Sequence, residues 1–260
     1  MEKFFRITRS TIATARMFFF LGYYKILNRN KERILLYTDS RGYQIADLDC
    51  RKTPFKSYLY SFIKKYNCDV HICEEKHTTI FDFLYLYENN IRRKKYDYVI
   101  SHIGVVDFSP RPYNDIESIL NLKKNKTIKI FGKEFFNKLI DLKIYEEEYF
   151  GVKTSAILAE ENLELIGNKF SKIPNHIWIS CNPVDLKWRG NYPKDRPINI
   201  NMVNDKRKQL MNLLGNNVNI IDFTNFSLKE VRKYTCDNIH MSDEGMDLIK
   251  EKIKQCLEKK

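Results

Sequence analysis

The 260-residue sequence is short of glycine, with nine, and of proline, with seven, which excludes collagen-like and Pro/Gly-rich low-complexity chains. No repeat of fixed period is present, so solenoids and propellers are excluded too. The six cysteines (Cys50, Cys68, Cys73, Cys181, Cys236 and Cys256) contain no C-x-x-C pair and follow no secretory signal. They read as reduced core thiols of a cytosolic chain and not as a disulfide framework. The strongest apolar run, Met17 to Tyr24 (MFFFLGYY), covers about eight residues where a bilayer needs about 20. Metal ligands are equally scarce. His71, Cys73 and His77 are answered by no second Cys or His pair, so a strand followed by a polar loop is expected there, without a metal. Nothing calls for a cofactor, and none is expected. No RNP-type signature accompanies the basic residues, so nucleic acid is not the expected partner.

What is present is enough apolar material for a real core: 43% hydrophobic residues, including 16 Tyr and 17 Phe. The formal charge is +12, from 45 basic and 33 acidic residues. It favours an anionic partner, although scattered lysines also fit an AT-biased genome. Residues 1–30 form a basic, aromatic helical segment with Lys3, Arg6, Arg9 and Arg16. It is expected to pack on its own domain, or else to lie on an anionic inner-membrane surface or a membrane-bound biosynthetic partner.

From residue 31 to 260, short β-type runs alternate with helical ones, the pattern of a parallel sheet wrapped by helices. Strands are expected at Arg33 to Tyr37, Asp69 to Cys73, Tyr96 to Ile103, His176 to Cys181 and Asn217 to Asp222. Helices are expected at Pro54 to Tyr66, Thr78 to Asn89, Thr154 to Phe170, Asn201 to Leu214 and Ser242 to Leu257, the last capped by Ser242. Residues 108–150 exceed a normal loop and carry the basic run Lys123 to Lys126, so an inserted cap or lid is expected there.

Ser40 directly follows the apolar run RILLY, a position at the carboxyl edge of a central parallel strand, where ligands bind. A serine needs a base to take its proton, and the base needs a carboxylate to orient it. Among the five histidines only His240 has an aspartate three positions earlier, Asp237. Together with the turn Ile103-Gly104-Val105-Val106-Asp107 and its continuation Phe108-Ser109-Pro110-Arg111-Pro112, these segments resemble the SGNH (GDSL-type) hydrolases. The continuation resembles a G-[IV]-[IV]-D-x-x-P-R variant associated with bacterial surface-polysaccharide loci.

The resemblance implies a flavodoxin-like three-layer α/β/α fold with a five-stranded parallel sheet, and a triad of Ser40, His240 and Asp237. It also implies esterase or O-acyltransferase chemistry on a glycan or acylated small-molecule substrate. Gly104, Asp39, Arg41, Asp107 and Arg111 are then expected to hold the oxyanion or the substrate. Asp107 also reads as an acceptor for loop N–H groups, and Arg111 either as a ligand for a carboxylate or phosphate or as a partner of Asp107. Three features depart from the family pattern: Thr38 stands where a glycine opens the first motif, Val106 where an asparagine donates to the oxyanion, and no second-motif glycine follows DVHIC, where the sequence runs Glu74-Glu75-Lys76-His77-Thr78, so two of the three expected oxyanion donors are missing or displaced.

Overall fold

The computed structural model describes residues 2–45, 52–91 and 93–258, so Cys50 lies outside the described residues. Five strands form one parallel sheet: β1 (Arg33–Thr38), β2 (Asn67–Ile72), β3 (Tyr98–His102), β7 (His176–Ile179) and β8 (Asn219–Ile221). Their order is β2-β1-β3-β7-β8, the flavodoxin-like arrangement in which the chain reverses direction across the sheet between β1 and β3. All five expected strands are present, each end within two residues of its expected place.

Both faces of the sheet are covered, which is why the central strands read as unbroken apolar runs and not as alternating ones. In β1, Leu35 and Tyr37 join one core with Val99, Ile103 and Trp178. Ile34 and Leu36 join the other with Tyr98, Ile100, Ile177 and Ile179. Each such aliphatic or aromatic side chain contributes about 1.5–3 kcal/mol by leaving water.

The first core is roofed by α3 (Ile80–Ile91), α5 (Tyr113–Phe131), α6 (Lys133–Ile140), α7 (Leu163–Phe170) and α8 (Met202–Leu214). The second is roofed by α2 (Leu59–Lys65) and α10 (Asp243–Glu258). Ser242 caps α10 as its sequence implies, its Oγ accepting the Gly245 N–H at 3.1 Å. A single helix, α1 (Glu2–Leu27), precedes the sheet. Its second half docks on the domain. Phe20 packs against Phe55 and Tyr60, Lys25 pairs with Asp69, and the Asn28 amide donates to the Ile63 carbonyl at 3.1 Å. Ile12, Phe18, Phe19, Tyr23 and Ile26 stay exposed along the same helix. Among the described residues no helix is long and apolar enough to cross a membrane.

Within residues 108–150, where an inserted cap or lid is expected, α5 buries Ile116, Ile119, Leu120 and Ile130 in the first core beside α3. Two expectations need correction. The Lys123 to Lys126 run is not an open basic patch. Lys123 is buried and bonded to Asp82 at 2.8 Å, and Lys126 reaches Asp82 at 2.8 Å and Glu75 at 2.6 Å. The expected helix from Thr154 begins only at Leu163, because Val152–Ser155 is a strand, β6. With β4 (Arg111–Pro112) and β5 (Tyr145–Tyr149), β6 makes a small antiparallel sheet ordered β4-β6-β5.

Candidate active site

The reversal between β1 and β3 opens a crevice at their carboxyl ends, and Ser40 stands there in a single turn of 3-10 helix, Ser40–Gly42. The turn is fastened at both ends. The Asp39 N–H donates to the His102 carbonyl at 2.9 Å, and the Asp39 carboxylate accepts the Arg41 N–H at 2.9 Å. Gly42 is required by packing, since a Cβ there would collide with the Thr38 side chain. Thr38 thus fills space that the missing motif glycine would leave, and Gly42 makes room for it.

The other half of the site is the loop between α9 (Leu228–Tyr234) and α10. It folds tightly: the Cys236 N–H donates to the His240 carbonyl at 2.8 Å, and Asn238 adopts a left-handed φ of 76°. The Asp237 Oδ1 accepts the N–H groups of Ile239 (3.0 Å) and His240 (2.8 Å), leaving Oδ2 for the His240 Nδ1 at 2.7 Å. His240 Nε2 lies 2.9 Å from Ser40 Oγ. With a carboxylate on Nδ1, the neutral ring carries its proton there and leaves Nε2 free to accept from the hydroxyl. Burial opposes ionisation of Asp237. The hydrogen bonds from the His240 ring and from the two N–H groups outweigh it, and its carboxyl sits below the usual carboxylate range.

Three other histidines have structural partners. His71 Nδ1 meets Glu74 at 2.9 Å, His102 Nδ1 meets the Tyr58 hydroxyl at 3.0 Å, and His176 Nε2 meets Ser101 Oγ at 2.8 Å.

The remaining expected residues divide. Gly104 caps the short helix α4 (Val105–Phe108) with φ 113°, across the crevice from Ser40, and a Cβ there would lie 2.9 Å from the Phe108 ring. Asp39 and Arg41 are buried against each other at 2.8 Å, and Arg41 also donates to the Ser180 carbonyl at 3.1 Å. Asp107 is likewise buried, with its two oxygens 3.0 and 3.2 Å from the Ile80 N–H. This makes it the structural acceptor of the two readings. Arg111 does not pair with Asp107, and its Nε is buried without a hydrogen-bond partner. Val106 offers no donor, and the nearby amides are engaged. Asn182 Nδ2 donates to the Pro183 and Asn238 carbonyls, and Asn238 Nδ2 to those of Asp185 and Trp188.

Burial, reinforced by Asp82 and Asp39, pushes the Asp107 carboxyl up to about 8, against the hydrogen bond from Ile80. The folded chain therefore holds a proton that the unfolded chain, with an Asp value of about 3.9, has released. The stability this gives is complete below about 4 and is lost as pH rises toward 8. Asp107→Asn is expected to gain stability relative to wild type between pH 5 and 8.5, measured by urea midpoints. Parallel pH curves for the two proteins would refute the assignment.

One residue at the site carried no sequence signal. Arg196 donates from Nη2 to the Asp237 carbonyl at 3.0 Å, reaches its Oδ2 at 3.4 Å, and stacks its guanidinium 3.6 Å over the Tyr192 ring. A small cleft is lined by Val105, Val184, Ile200, Val203 and Ile239, with Arg41, Asn182 and Asn238 also on its wall and no triad side chain in its lining. It has room for about one water-sized group. Val105, Ile239 and Arg41 are the chain neighbours of Gly104, His240 and Ser40.

No family model matches the chain, and no curated protein matches it. Solved structures similar to it include a lipase/acylhydrolase from Enterococcus faecalis, 17% identical over 86% of this chain and 94% of that one, with a TM-score of 0.45. An acetyl xylan esterase, AlAXEase, is 15% identical over 86% of this chain and 99% of that one, with a TM-score of 0.45. An acetylxylan esterase from Geobacillus stearothermophilus is 13% identical over 88% of this chain and 95% of that one, with a TM-score of 0.44.

Proposed function

We propose that this chain is a serine-dependent esterase or O-acyltransferase of the SGNH type, acting on an O-acylated, most simply O-acetylated, carbohydrate such as a polysaccharide or its precursor. The observation that carries the reading is the continuous relay Asp237–His240–Ser40, with contacts of 2.7 and 2.9 Å at the mouth of the switch crevice. Both distances lie within hydrogen-bond reach for a base and a nucleophile.

In the proposed reaction, Ser40 Oγ forms a bond to the ester carbonyl carbon while His240 Nε2 takes its proton. The carbonyl oxygen gains the charge, held by the backbone N–H groups of Ser40 and Gly104. As the tetrahedral intermediate collapses, the sugar oxygen leaves with the proton from His240 and the acyl group stays on Ser40. Water or a second sugar hydroxyl then gives its proton to His240 and bonds to the acyl carbon, and His240 returns that proton to Ser40 Oγ as the acyl–Oγ bond breaks. Asp237 stabilises the imidazolium throughout and keeps its own charge.

We assign the small cleft lined by Val105, Val184, Ile200 and Ile239 to the acyl group, where a methyl group fits more readily than a longer chain. Each misfitting methylene costs on the order of 1–3 kcal/mol of discrimination. The 4-nitrophenyl ester series tests this: kcat/KM for acetate is expected to exceed that for hexanoate by about tenfold or more. Equal rates would remove the cleft from the acyl site. Release of free acetate, against its appearance on an added oligosaccharide, separates esterase from transferase.

A second reading is a scaffold that binds a glycan without turning it over. It is favoured by Val106, which supplies no side-chain donor, and by the full engagement of Asn182 and Asn238. Absence of any Ser40 acyl adduct with activated esters would select it.

A further inference from the structure

Two arginines near the triad are each left with a buried nitrogen that bonds to nothing: Arg111 Nε and Arg196 Nε. Buried polar groups are nearly always paired, and buried charges especially so. Arg111 sits on β4, opposite Ser155 of β6. The small sheet carries it against the loop that holds Arg196. Two bonds make that join: the Tyr149 hydroxyl donates to the Asp195 carbonyl at 3.1 Å, and the Asn199 amide to Thr154 Oγ1 at 2.8 Å. Arg111 and Arg196 feel each other as like charges. Asp115 and Asp107 act on Arg111 only through space. Asp107, moreover, spends its oxygens on Ile80 and holds its proton up to a pH of about 8, so at neutral pH it neutralises little. Arg196 does have a carboxylate, Asp237, but at 3.4 Å and shared with His240.

We propose that Arg111 and Arg196 form a receptor for one oxyanion carried by the substrate, a carboxylate or a phosphate, seated on the Asp237 side of Ser40. Two half-buried guanidinium groups with spare N–H donors suit such a group, which accepts charge-assisted hydrogen bonds from both and cancels their repulsion. Tyr192 keeps the Arg196 plane fixed by stacking. The ester attacked by Ser40 is then that of an acidic molecule, an acylated uronic acid or a phosphate-bearing sugar. This last step rests on the esterase reading, whereas the anion receptor itself does not.

Direct binding tests the receptor without chemistry. Glucuronate and inorganic phosphate are titrated calorimetrically into Ser40→Ala protein at fixed ionic strength, then into Ser40→Ala carrying Arg111→Met or Arg111→Lys. One of the two anions is expected to bind saturably, at least tenfold more weakly with Arg111→Met and less so with Arg111→Lys. The anion that binds identifies the source of the charge. Equal binding by Arg111→Met protein of unchanged melting temperature, or no binding of either anion to Ser40→Ala protein, would overturn the receptor.

With wild type, kcat/KM for an O-acetylated glucuronide over its neutral glucoside is expected to fall at least tenfold in Arg111→Met. Arg111-dependent anion binding in a protein that cleaves no ester would keep the receptor and remove the esterase. Ester cleavage with no Arg111-dependent preference would do the reverse.

Discussion

Ser40→Ala and His240→Ala are each expected to abolish labelling by a fluorophosphonate and to lower 4-nitrophenyl acetate hydrolysis by about 10³–10⁴-fold. The size follows from two terms. In a serine hydrolase with a full oxyanion hole, loss of the nucleophile or base costs on the order of 10⁶ in kcat. Here Val106 leaves the oxyanion to backbone donors, and one absent side-chain donor costs about 10²–10³. The wild type therefore starts lower, and the fall to background is shorter. Both variants should remain folded, because what each loses is a hydrogen bond within the Asp237–His240–Ser40 relay. Residual labelling of Ser40→Ala at the wild-type rate would place the nucleophile elsewhere.

The largest stability effect is expected just beside the nucleophile. Asp39 and Arg41 flank Ser40, are 1% and 0% exposed, and bond to each other through Oδ1 with Nε (3.0 Å) and Oδ2 with Nη2 (2.8 Å). Burial works against the Arg41 charge, yet Asp39 outweighs it and the guanidinium value stays above normal. Removing one partner leaves the other charge buried and uncompensated, at a cost of about 3–5 kcal/mol. Against a typical domain stability of about 5–15 kcal/mol, Arg41→Met or Asp39→Asn should bring the protein close to unfolding. The double variant should recover much of the loss, because neither charge is then stranded. Urea unfolding of the three variants decides the matter, and singles that cost under about 1 kcal/mol would show the pair to be dispensable. The pair is also the brace of the nucleophile turn, since Arg41 ties it to the Ser180 carbonyl beyond β7.

The sheet and the triad were legible in the sequence for specific physical reasons. A strand buried on both faces must be apolar throughout, and RILLY has no other comfortable place. Asp237 and His240 are three residues apart, so their meeting is a local property of one loop. Ser40 was placed by the strand before it.

What escaped detection depends on contacts distant in sequence. Arg196 meets Asp237 across 41 residues from a loop without periodicity. Asp39 and Arg41 look like site residues by position, and only the packing of β7 behind them shows that they face inward. The second sheet leaves no periodic signal in the sequence, because β4 is two residues long and β5 reads YEEEY, an acidic, largely exposed run with no apolar alternation. The basic run of α5 gives no sign in the sequence of its burial, because the partners of its two lysines, Asp82 and Glu75, lie on or just before another helix.

The triad joins residues 200 positions apart, from the end of the first strand to the loop before the last helix. At a synthesis rate of about 5–20 residues per second, the ribosome makes Ser40 roughly 10–40 s before His240. Throughout that interval the nascent chain carries a serine with no base to activate it. On the proposed reading the chemistry waits until nearly the whole fold can close, so a chain cut before His240 is expected to show none.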